Sequence, residues 1–105
     1  MPVSEIEPRE LKELLARGDV TLIDIREPWE ADICSIEGGT LVPMRSLPQR
    51  LQEIPADKPV ALYCHHGVRS LMAAGFMAQR GYDALSLAGG IAAWAEEIEP
   101  KMARY

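Results

Sequence analysis

Pro59-Val60-Ala61-Leu62-Tyr63-Cys64-His65-His66-Gly67-Val68-Arg69-Ser70 runs from an apolar strand into a glycine-containing turn, and a mostly apolar helix is expected from about Arg69 to Arg80, closed by Gly81. A strand with no polar alternation suits burial on both faces of a parallel sheet. Upstream, Val20 to Ile25 reads the same way. Before it, Pro8 to Arg17 carries Leu11, Leu14 and Leu15 at helical spacing, with Pro8 in the first turn and Gly18 as the stop. Thr40-Leu41-Val42-Pro43 is a further short strand, and Ser46-Leu47-Pro48-Gln49 reads as a capping box opening a helix with Leu47, Leu51 and Ile54 on one face, ended by Pro55. Ala84 to Leu87 is another strand, Gly89-Gly90 turns the chain, and Ile91, Trp94, Ala95 and Ile98 mark a last helix before Pro100. The alternation predicts an α/β fold with a mainly parallel sheet covered by helices on both faces. Ligands of such sheets bind beyond the carboxyl ends of the strands, which points to the segment after Tyr63.

The 105 residues suit a single domain, with a core from about residue 3 to 98 and a short tail over 99–105 that either folds back over a surface or swings free. Hydrophobic residues at 48% and charged residues at 26% match globular proteins and argue against disorder or coiled coil. The net charge of −5, with no basic cluster, disfavours nucleic acid as a partner. Met1 to Glu5 lacks the basic and apolar regions of a leader, and the longest apolar run, Leu71 to Ala78, is too short for a membrane span. Two cysteines, Cys34 and Cys64, make no disulfide scaffold, so a reduced, cytoplasmic setting is expected.

The turn after Tyr63 has the parts of a thiolate site. Only the thiolate of Cys64 is a good nucleophile, and it needs positive potential nearby. A helix N-terminus supplies unpaired N–H groups, and a curled loop gathers them into an anion-binding nest. Gly67 permits that curl and Arg69 adds a permanent cation suited to an oxyanion. Cys64 as a small core residue would leave Gly67 and Arg69 unexplained. His65 and His66 are either walls of a substrate site or exposed loop residues. A metal bound by Cys64, His65 and His66 is disfavoured, since adjacent residues wrap one ion poorly and the chain has no second ligand pair.

Cys64 to Ser70, as C-x-x-G-x-R-S after an apolar strand, resembles the active-site loop of the rhodanese sulfurtransferases. Leu22-Ile23-Asp24-Ile25-Arg26-Glu27 with Trp29-Glu30 is similar to that family's first signature, and Leu87-Ala88-Gly89-Gly90-Ile91 with Trp94 to its C-terminal one. The resemblance implies a three-layer domain with a five-stranded sheet. It also implies transfer of sulfane sulfur from a donor such as thiosulfate, through a Cys64 persulfide, to cyanide, a small thiol or a protein thiol. Residues 65–69 (His65, His66, Gly67, Val68 and Arg69) would bind substrate, and no metal or organic cofactor is required. Two departures stand out. Cys34-Ser35-Ile36-Glu37-Gly38-Gly39 replaces the common Gly-His-Ile-Pro-Gly-Ala, and His65 follows the cysteine where a fixed basic residue is common, which makes the loop less positive.

Cysteine phosphatases and arsenate reductases also combine cysteine, nest and arginine, but their loops have five intervening residues, whereas four, His65 to Val68, intervene here. A non-catalytic interaction or redox-sensing module is the other alternative, although such copies typically lose the cysteine. Cys34 is read as a packing residue, or as a thiol that resolves oxidised Cys64 if the two Cα atoms lie within about 7 Å. Asp24 and Arg26 are expected to form an ion pair that fixes the loop geometry. Trp29, Trp94, Met72 and Met77 are expected to be packing residues.

Overall fold

The structure, a computed structural model, describes residues 4–105, so the leader reading of Met1 to Val3 lies outside the described residues. Five strands form one all-parallel sheet: β1 (Ser4–Ile6), β2 (Thr21–Asp24), β3 (Gly39–Leu41), β4 (Val60–Tyr63) and β5 (Ala84–Leu87), in the order β1-β5-β4-β2-β3. The central strands β2 and β4 pair with Asp24 beside Tyr63. From β2 the chain moves outward to β3, and from β4 it moves the other way to β5. Strand order therefore reverses between β2 and β4, at the ends that carry Asp24 and Cys64.

Helices cover both faces, as expected. Along β2 and β4, Ile23, Val60 and Leu62 join one core with Ala73, Ala74 and Met77 of α4 (Val68–Ala78) and Leu47 of the one-turn α3 (Leu47–Arg50). Leu22, Ala61 and Tyr63 point the other way, into a core with Leu11 of α1 (Pro8–Arg17) and Ile91 and Trp94 of α5 (Gly90–Glu97). All four residues of β4 are fully buried, which explains their unbroken apolar character. A short α2 (Pro28–Ile33) follows β2.

The structure departs from the sequence reading in several places. The edge strand β1 was invisible to apolar patterning because two of its three residues are exposed. Ser46 makes no capping hydrogen bond: the segment is a 3₁₀ turn, one α-turn and a second 3₁₀ turn, and Ser46 already has helical backbone angles. Helix α4 starts at Val68 and is capped at its C-terminus by Gln79, two residues ahead of Gly81. Trp29 and Met72 do not pack inside, being 60% and 64% exposed, whereas Trp94 and Met77 are buried. The tail folds back, bringing Tyr105 onto the loop after β4. No helix among the described residues is long and apolar enough to cross a membrane.

Candidate functional site

Cys64 leaves the end of β4 and is 1% exposed. Its Sγ accepts hydrogen bonds from the backbone N–H groups of Gly67 at 3.1 Å and Ser70 at 3.4 Å. These are the unpaired donors of the α4 N-terminus, turned inward because Gly67 adopts a left-handed φ of 102° as N-cap. The Sγ also lies 3.5 Å from Ser70 Oγ, which is hydrogen-bonded at 2.8 Å to Ser86 Oγ of β5. The nest predicted from residues 65–69 thus uses Gly67 of that set and adds Ser70. Ser70 stands in the motif but had carried no role. Ser86 had none because nothing in sequence places β5 under the sulfur.

The N-terminus of α5 braces the loop from behind. Ile91 N–H donates to the Cys64 carbonyl at 2.9 Å and Ala92 N–H to the His65 carbonyl at 3.1 Å. This approach explains Gly90. A Cβ there would overlap the His65 carbonyl and lie 2.6 Å from the Cys64 carbonyl oxygen, and its φ is 62°.

Arg69 turns toward α2. Its Nη1 and Nη2 donate to Glu30 Oε1 and Oε2 at 2.7 and 2.8 Å. Glu30 is 3% exposed, and each of its oxygens takes a second donor: Glu27 N–H on Oε1 at 3.0 Å and the Tyr105 hydroxyl on Oε2 at 2.6 Å. The Arg69 hydrogen bonds chiefly, with Tyr105 adding to them against the cost of burial, lower the Glu30 pKa to about 2. Arg69 is raised in turn, first by the Glu30 hydrogen bonds.

A second, deeper ion pair stands beside this one, as expected of Asp24 and Arg26. Arg26 is fully buried: Nε and Nη2 bind Asp24 at 2.9 and 2.8 Å, and Nη2 also reaches the Cys34 carbonyl at 2.7 Å. Nη1 donates to the Glu30 carbonyl at 3.4 Å and to the Tyr105 hydroxyl at 3.1 Å. All five guanidinium N–H groups therefore find acceptors. Burial opposes the Arg26 charge, but the hydrogen bonds to Asp24 and Tyr105 outweigh it and raise the pKa. Asp24 also accepts the Arg26 N–H and the Tyr63 hydroxyl, both at 3.0 Å. The pair fixes the chain around α2 and the tail.

His65 and His66 line the outer wall. The His65 ring stacks on His66 and on Tyr105, with centroids 3.9 Å apart in each case and interplanar angles of 26° and 15°. Burial, then the neighbouring His66 and Arg69, hold the His65 pKa below its ordinary value despite Glu30, so the loop is uncharged there at neutral pH. Val68 is 70% exposed on the first turn of α4. Cys34 is half-buried, both cysteines are free thiols, and Cys34 lines a pocket with His65, His66 and Tyr105. Besides Ser70 and Ser86, sequence reading missed the parts played by Glu30 and Tyr105. Glu30 lies in a quoted motif, but its partner Arg69 is 39 residues away.

A strand-end cysteine whose Sγ lies among helix N-terminal amides, at the switch point of a five-stranded parallel sheet, defines an α/β domain with a buried cysteine site. The chain belongs to the rhodanese-like domain family, whose model matches residues 7–97. It is 42% identical over 103 residues to a sulfurtransferase of Allochromatium vinosum, covering 96% of each chain. It is also 42% identical over 106 residues to the probable adenylyltransferase/sulfurtransferase MoeZ of Mycobacterium tuberculosis, covering 97% of this chain but only 27% of that longer protein. A rhodanese-related protein from Thermoplasma volcanium superposes with a TM-score of 0.85 at 33% identity, covering 92% of this chain and 95% of the other. Both curated relatives are named for sulfur transfer.

Proposed function

We propose that the chain moves sulfane sulfur through a persulfide on Cys64, with a donor such as thiosulfate. The observation that carries this reading is the pair of backbone N–H groups, from Gly67 and Ser70, on Cys64 Sγ. Such donors stabilise a sulfur anion. The Cys64 thiolate attacks the outer sulfur of the donor; the donor's S–S bond breaks and sulfite leaves with the electron pair. The new Cys64 persulfide anion then gives its outer sulfur to an acceptor. With cyanide, the acceptor's carbon forms the new bond, thiocyanate leaves and the thiolate is restored. A small thiol or a protein thiol takes the sulfur in the same way, by attack on the outer sulfur atom. Gly67 and Ser70 hold the charge at each stage, His65, His66 and Val68 form the walls, and Arg69 receives the donor's oxyanion end. Sulfur enters and leaves in separate displacements, so ping-pong kinetics are expected.

Intact mass tests the reading. After the reduced protein is incubated with thiosulfate, a gain of about one sulfur, roughly 32 Da, is expected, lost on adding cyanide and absent in Cys64→Ser. A folded protein with a free Cys64 that gains no mass from thiosulfate or an organic persulfide would overturn the reading in favour of a non-catalytic module.

A further inference from the structure

Tyr105 joins two ion pairs by a single hydroxyl. It accepts from Arg26 Nη1 at 3.1 Å and donates to Glu30 Oε2 at 2.6 Å, while its ring stacks on His65, the residue that follows the nucleophile. Burial, with the Glu30 hydrogen bond, raises its pKa to about 12, so the bridging proton stays in place at neutral pH. The row Asp24, Arg26, Tyr105, Glu30, Arg69 is therefore continuous from the end of β2 to the start of α4. At its far end Arg69 uses one N–H of each Nη for Glu30. Its Nε–H and the remaining Nη hydrogens meet no acceptor among the described residues, and the side chain is 38% exposed. Those N–H groups are available to an incoming oxyanion, and their direction depends on the plane of the Glu30 carboxylate.

We propose that Tyr105 is a positioning residue for the first half-reaction, fixing Glu30 so that Arg69 faces the oxyanion end of the sulfur donor. The inference rests on the sulfur-transfer reading. It differs from a plug role for Tyr105, in which the hydroxyl merely satisfies buried Arg26, because it then makes no difference whether the donor carries an oxyanion. The effect runs Tyr105 to Glu30 to Arg69, and it is confined to donors that present an oxyanion.

The test measures the two half-reactions separately on the full chain, following the persulfide by mass, with the folded fraction of each variant read by near-ultraviolet circular dichroism. In Tyr105→Phe the ring stack stays and the hydroxyl goes. Loading by thiosulfate is expected to slow about fivefold, the effect of one lost hydrogen bond. Loading by an alkyl persulfide, which has no oxyanion end, and unloading by cyanide are expected to change less than about twofold. If Tyr105 acts through Arg69, then in an Arg69→Lys background Tyr105→Phe slows thiosulfate loading no further. Equal slowing with both donors, an unchanged thiosulfate rate, or additive losses in the double variant would each overturn the proposal. A wild-type chain loaded by the alkyl persulfide but not by thiosulfate would overturn it too, with sulfur transfer intact. One loaded by neither would remove the sulfur-transfer reading itself.

Discussion

Cys64 Sγ and the Arg69 guanidinium stand at the same strand end and are held by opposite means. The sulfur sits on neutral backbone N–H groups, placed by the path of residues 64–70 and by the α5 N-terminus behind them. The guanidinium ends a row of four charged side chains and one hydroxyl drawn from β2, the loop after it, α2, α4 and the tail. In the first region backbone conformation dominates, and the side-chain contact on the sulfur is the Ser70 hydroxyl, backed by Ser86. In the second, two buried carboxylates each accept four hydrogen bonds and cancel the two arginines, so side-chain chemistry is decisive. The site thus sets neutral amide donors around the sulfur beside a pair of arginines whose charges the two carboxylates balance.

The largest expected effect breaks the backbone half of this contrast. Gly90→Ala puts a methyl group against the His65 and Cys64 carbonyls at a φ of 62°. The two strands of chain cannot approach as they do, and about 3 kcal/mol or more of stability should be lost, with the melting temperature down by roughly 10 °C or more. Gly18→Ala is the control: φ is 71° there too, but nothing lies within 4 Å of the added carbon, so only the backbone cost of about 1 kcal/mol remains. Equal melting temperatures for the two variants would mean that the α5 contact is not what shapes the loop.

The same contrast explains what is legible in the sequence. Cys64, Gly67 and Arg69 are close in sequence, and the physics linking them is local: a strand end, a left-handed residue, a helix start. The fold class was legible for the same reason, since Val60 to Tyr63 and Leu22 to Ile23 carry their two-sided burial in composition. Tyr105 and Glu30 were not legible, because a hydroxyl and a carboxylate separated by 75 residues leave no spacing signal. Ser46 misled because a capping box and the entry to a 3₁₀ turn share the same residues, and packing of Leu47 into the core settled which was used. Trp29 and Met72 misled because large apolar residues are counted as core by default, yet about half of the residues of a surface helix face water.

A smaller effect is expected from the charged half. Glu30 has its pKa lowered from 4.5 to about 2 in the folded chain, chiefly by the Arg69 hydrogen bonds. Its contribution to stability is therefore fully present above pH 4.5 and lost as the pH falls toward about 2. Glu30→Gln removes the charge, and allowing for the solvent-exposed side of Arg69 it should cost on the order of 2 kcal/mol at neutral pH. Urea unfolding of both proteins across that pH range should show the gap closing in acid. A gap independent of pH would mean that packing, and not ionisation, is what Glu30 contributes.

The smallest effect concerns whether the row needs its aromatic cover. Trp29 meets the Tyr105 ring edge-on, with centroids 5.7 Å apart at 77°, and is 60% exposed. Tyr105 is already fixed by two hydrogen bonds to charged groups and by the His65 stack. Trp29→Ala should consequently cost no more than about 1 kcal/mol in urea unfolding, the value of one edge contact. The alkylation rate of Cys64 should not change, because the amides on Sγ belong to the other region. A loss above about 2 kcal/mol would show that burial under the indole, more than hydrogen bonding, keeps Tyr105 on Glu30. A changed alkylation rate at unchanged stability would show that the two regions are coupled through His65, whose ring touches Tyr105 and whose carbonyl is held by α5.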